Sequence, residues 1–158
     1  MKNIGGMARK LYRCSFESLD MTPEQKIKRE ILIDAIENND DLNWEGEITA
    51  ENVAQAWEEV LVNNDAHWDY VSEFRESGEE TELPSQSSRH YEAKEVARKL
   101  SDGTWVGWTY WYGGGKHGQP EAIDWMEEAY FLNVQEEEKV VVVKTFVGQQ
   151  RMWVPLLV

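Results

Sequence analysis

The chain contains a single cysteine, Cys14, among its 158 residues. No internal disulfide can form, so packing has to hold the fold, and an unpaired thiol suits a reducing cytoplasm. Long apolar runs are missing too: no segment approaches the roughly 18 apolar residues of a membrane-spanning helix. The basic stretch carrying Lys2, Arg9, Lys10 and Arg13 is not followed by the apolar region of a secretory signal. A cytoplasmic protein is expected. Positive charge is scarce, with 16 Lys and Arg against 30 Asp and Glu and a formal net charge of −14. Nucleic acid and anionic membranes both require cationic surface, so neither is expected as a direct partner; a basic protein is.

Motifs for chemistry are equally sparse. His67, His90 and His117 are not at metal-ligand spacing from one another or from Cys14, so neither a metal nor another cofactor is expected. No serine-hydrolase or cysteine-nucleophile motif is present, and carboxylates are too abundant for any pair to stand out as acid and base. The chain is therefore expected not to be an enzyme.

What the sequence does contain is enough apolar residue, 41%, for one folded domain spanning residues 1–158, and an unusual 8 tryptophans. The acidity is concentrated. Residues 37–82 hold 15 acidic side chains against the single basic Arg75, a local balance equal to the net charge of the whole chain. Within that block, a helix over 66–76 would align Asp65, Asp69, Glu73 and Glu76 along one face at i, i+4, i+8 and i+11. Each four-residue step rises roughly 6 Å, of the same order as the spacing of phosphates along a nucleic-acid strand. Like charges so placed oppose helix stability, which favours a surface kept for binding. Glu58, Glu59, Glu79, Glu80 and Glu82 extend this candidate acidic surface; a solvated polar face is the plainer alternative.

The pattern of elements predicts an α+β fold, with about four helices in residues 22–100 packed on a small antiparallel sheet formed mainly by residues 104–146. Thr22-Pro23-Glu24-Gln25 has the form of a capping box with Pro at the first helical position, opening a helix to about Asn38. Thr49 is placed to cap a second helix with Val53, Ala56, Trp57, Val60 and Leu61 on its apolar side. A short third helix over 66–76 would turn Trp68, Val71 and Phe74 inward, and residues 77–88 have the composition of an exposed loop. A fourth helix from Ser88 would bury Ala93, Val96, Ala97 and Leu100 and stop at Asp102-Gly103. Strands are predicted at Leu11–Phe16, over 104–112, at Ala129–Gln135 and, most strongly, in KVVVVKTF at 139–146. The tail Arg151–Val158 is apolar enough to pack back as an edge.

Alternation along TWVGWTYWY puts Trp105, Thr109 and Trp111 on one face and Val106, Trp108, Tyr110 and Tyr112 on the other. One face has to meet the helices. The other is either covered, by Trp125, Tyr130 and Phe131, or left as a contact surface with Trp105, Trp108 and Trp111 as anchors; a homodimer is a further way to hide it. Gly113-Gly114-Gly115 followed by Lys116 and His117 opens an alternative, a ligand-binding or enzymatic domain whose glycine-rich loop 113–118 holds an anion. The loop lacks the Lys-Ser/Thr ending of a phosphate-binding loop, and a hairpin connection is its plainer reading.

The stretch Asp102–Phe146, with its core GTWVGWTYWYGGGKHGQPEAIDW, resembles small uncharacterised proteins encoded by bacteriophages and prophages. The resemblance covers under a third of the chain. It implies an anti-defence role: an acidic inhibitor that stands in for nucleic acid and occupies the cationic site of a restriction enzyme, a CRISPR complex or another defence nuclease of the bacterial host. A non-inhibitory assembly or interaction protein is the remaining alternative.

Overall fold

The computed structural model describes residues 21–149. The strand expected at Leu11–Phe16, the apolar tail and Cys14 lie outside the described residues. Three helices pack on one face of a four-stranded antiparallel sheet of order β1-β2-β3-β4, a two-layer α+β arrangement.

Helix α1, Pro23–Asn38, starts where the capping box predicts: the Thr22 hydroxyl accepts from the Gln25 N–H and the Gln25 side chain accepts from the Thr22 N–H. It buries Ile27, Ile31, Leu32 and Ala35 against the sheet and the other helices. Helix α2, Val53–Ala56, begins after a turn in which the Thr49 carbonyl accepts from Val53 N–H, so Thr49 precedes the helix rather than capping it directly. It widens into a π-helical stretch, Trp57–Val62. Helix α3 runs from His67 to Glu76.

The sheet comprises β1 (Glu79–Glu80), β2 (Glu92–Lys99), β3 (Trp105–Tyr112) and β4 (Tyr130–Leu132). The fourth helix is absent, because residues 92–99 pair with β3 over its full length, from Glu92 opposite Tyr112 to Lys99 opposite Trp105. Pairing with a long aromatic strand overrides the helical spacing of Ala93, Val96, Ala97 and Leu100. Asp102-Gly103 closes the hairpin instead of ending a helix; Gly103 has φ +87, a left-handed conformation that glycine adopts without steric cost. Helix α1 clamps this turn from below. Buried Lys26 is ion-paired with Asp102 and donates to Thr104 at 3.1 Å, while Glu30 accepts from the Ser101 N–H at 3.0 Å and its hydroxyl at 2.8 Å.

Residues 139–146 differ most from expectation: they form no strand and are exposed, with no strand partner among the described residues. Among the described residues the last strand of the sheet is β4, which is shorter than Ala129–Gln135.

The core lies between the helices and the β3 face bearing Val106 and Trp108. Trp108 is 0% exposed and packs in an aromatic cluster, its ring centroid 5.2 Å from Phe74 and 5.4 Å from Trp125. Trp125 thus lies on the helix side of the sheet and not on the second face.

Candidate protein-binding face

Helix α3 sets the geometry of the acidic block. Phe74 and Arg75 are buried in it, and Tyr70 and Val71 pack against the core, so Trp68, Asp69, Ser72, Glu73 and Glu76 face water. All 15 acidic side chains of residues 37–82 are exposed. The one basic residue among them is turned inward: Arg75 is 6% exposed, its guanidinium lies 4.1 Å over the Tyr110 ring and donates to the Trp111 carbonyl and, at 2.9 Å, to Glu76. The solvent-facing block consequently carries no cation of its own.

Asp69, Glu73 and Glu76 share a side of α3 at i, i+4 and i+7. Asp65 does not belong to that stripe, because it sits before the helix in a turn with φ 52. The expected row of four is a row of three with Asp65 adjacent. Glu76 also has a structural task, since the Tyr110 hydroxyl donates to both of its carboxylate oxygens at 2.9 and 2.8 Å; burial and the neighbouring carboxylate push that phenol's pKa upward. Glu80 is paired with Lys94 at 3.0 Å. Glu58, Glu79 and Glu82 are exposed without an ion-pair partner among the described residues, and Glu59 accepts a hydrogen bond from Gln55.

Between α1 and α3 a cleft of about 200 Å³ is floored by Ile31, Tyr70 and Phe74 and edged by Asp34, Glu73, Ser77 and Arg98. Arg98 lies over the Phe74 ring at 4.6 Å with Asp34 3.8 Å away. The aromatic floor and the carboxylate on its rim thus already hold a guanidinium, that of Arg98.

Trp68 is the surface aromatic that the sequence reading placed inside. It is 59% exposed, next to Asp69 on α3. A signal was available: six positions from Phe74 correspond to roughly 120° around the helix axis, off the stripe of Tyr70, Val71 and Phe74. Trp108 and Trp111 are buried and belong to the interior, and Trp105 is half-buried. None of the three is a free anchor.

The second face of the sheet is organised around buried Glu95. Its carboxylate accepts from Thr109 at 3.1 Å, Tyr130 at 2.9 Å and Ser85 at 2.9 Å. Burial and this hydrogen bond to the carboxylate push the Tyr130 pKa well above the ordinary phenol range. Gly107 makes room for the arrangement, because a Cβ there would stand 2.6 Å from the Tyr130 ring. The group is closed, with every hydroxyl spent on the one carboxylate.

In the glycine-rich loop, Gly113, Gly114 and Gly115 all have positive φ and Gly115–His117 forms a single 3-10 turn. Tyr91 fills the inside of the loop, accepting from the Gln119 N–H at 3.2 Å. Lys116 and His117 are exposed on the turn. Among the described residues no group of three or more His, Cys, Asp or Glu could hold a metal ion, and no helix is long and apolar enough to cross a membrane. No protein-family model, curated protein or solved structure matches the chain.

Proposed function

We propose that this protein is an acidic inhibitor of phage type, which binds a basic nucleic-acid-binding protein of a bacterial host, such as a restriction, CRISPR or other defence nuclease, and blocks its nucleic-acid site in the cytoplasm. The observation that carries this reading is the exposure of all 15 acidic side chains of residues 37–82 while Arg75 is buried. Carboxylates left facing water, on a helix they repel one another along, do little for the fold and supply the field that steers a cationic partner. Trp68 gives that surface the kind of aromatic contact that dominates binding energy at interfaces. The protein acts without a cofactor.

The test is affinity capture from bacterial lysate at low and at moderate salt, with bound proteins identified by mass spectrometry. A basic nucleic-acid-binding protein that is captured at low salt, and lost when Asp69→Asn and Glu73→Gln are combined, supports the proposal. Capture unaffected by that double variant removes the assignment to this face. Glu76 is left intact in this design because Tyr110 and Arg75 depend on it.

A further inference from the structure

Residues 133–149 leave the sheet after β4 without helix or strand, and with no backbone hydrogen bond to another segment among the described residues. They carry Val140, Val141, Val142, Val143, Phe146 and Val147, all strongly exposed; Val140 is 99% and Phe146 91% exposed. β-branched residues in this density favour a strand, and a backbone with its N–H and C=O groups unspent can form one by pairing with another strand. Its charges are ordered along it. Glu136-Glu137-Glu138 and Lys139 precede the valines and Lys144 follows them.

We infer that this segment is a self-complementary strand that pairs antiparallel with the same segment of a second copy of the chain. With Val141 of each copy opposite Val141 of the other, Glu138 of each falls opposite Lys144 of the other, and Val140 falls opposite Val142. Two ion pairs and two kinds of valine contact then repeat about one two-fold axis, the form a closed dimer interface takes. Parallel pairing in register would instead set Glu on Glu and Lys on Lys, which cross-strand pairing penalises. The charges thus select both the direction and the partner.

Sedimentation velocity of the full chain at physiological salt tests the inference. A concentration-dependent dimer is expected, with Val142→Pro, which removes a ladder donor from an exposed residue, giving monomer over the same range while circular dichroism stays unchanged. Lys144→Glu should weaken the dimer roughly two- to thirtyfold, since two cross-strand pairs become repulsive, and adding Glu138→Lys should restore it. A monomer at all concentrations, or a dimer indifferent to Val142→Pro, overturns the proposal. Failure of the charge swap to rescue overturns the antiparallel register.

Discussion

Carboxylates do opposite things in the two layers of this molecule. In residues 37–82 all 15 are exposed, and apart from Glu76 and Glu80 they have no cation among the described residues. Elsewhere, by contrast, Glu30 and Asp102 where α1 meets the hairpin turn and Glu95 on the second face of the sheet are built into the structure, each accepting from two or three donors and tying its segment to another. A buried carboxylate has to be satisfied or it destabilises the fold. A solvated one contributes almost nothing to stability. Most of the net charge is therefore surplus to folding, and its place on the outside of the helices points to what approaches from solvent.

That contrast can be broken from either side. The largest effect is expected at Glu95: Glu95→Ala strands the Thr109 and Tyr130 hydroxyls and should cost about 2–4 kcal/mol in chemical denaturation. Lys26→Met, which leaves the partly solvated Asp102 without its cation, should cost about 1–2 kcal/mol by the same measurement. High pH should reach the built-in group without mutation. The Tyr130 and Tyr110 phenols are both raised on folding, so the stability they confer is complete below the ordinary tyrosine pKa of about 10 and is lost as pH rises above it; thermal melts across alkaline pH check this, with Tyr130→Phe flattening the loss. Asp102 shows the reverse sign. Burial raises its pKa, but the hydrogen bonds from Lys26 and Thr104 outweigh that and lower it overall, so its contribution is present above the carboxylate range and disappears as pH falls through it. The smallest effect belongs to the outer layer: Asp69→Asn with Glu73→Gln should leave the melting temperature unchanged or stabilise α3 by a few tenths of a kcal/mol.

Local signals in the sequence were reliable where the physics is local. The capping box located α1, and counting charges located the acidic block and its lone Arg75. Non-local pairing was not legible. Residues 92–99 are rich in Ala, Glu, Lys and Arg and spaced like a helix, yet they become β2 because β3 needs a partner and Asp102-Gly103 turns the chain back to supply one; that dipeptide, between two apolar-containing runs, was the overlooked hairpin signal. Residues 139–146 fail in the opposite way, having every strand propensity and no sheet to join among the described residues. Strand formation follows the partner more than the propensity. At the candidate site, the outward charges could be read directly, whereas Trp68, expected inside, lies outside, and Trp108, left open between core and contact surface, is core, because helix phase and the depth of a sheet face depend on what packs over them.

The central claim is that the acidic face competes with nucleic acid for a basic protein, and the most direct measurement takes the nucleic-acid-binding protein captured from lysate and follows its binding to labelled DNA or RNA by fluorescence anisotropy as this protein is added. Displacement by the wild-type chain, weakened by salt and lost with Asp69→Asn and Glu73→Gln, is the predicted result. Nucleic acid that stays bound while this protein binds alongside would contradict the account and leave an interaction protein without inhibitory action.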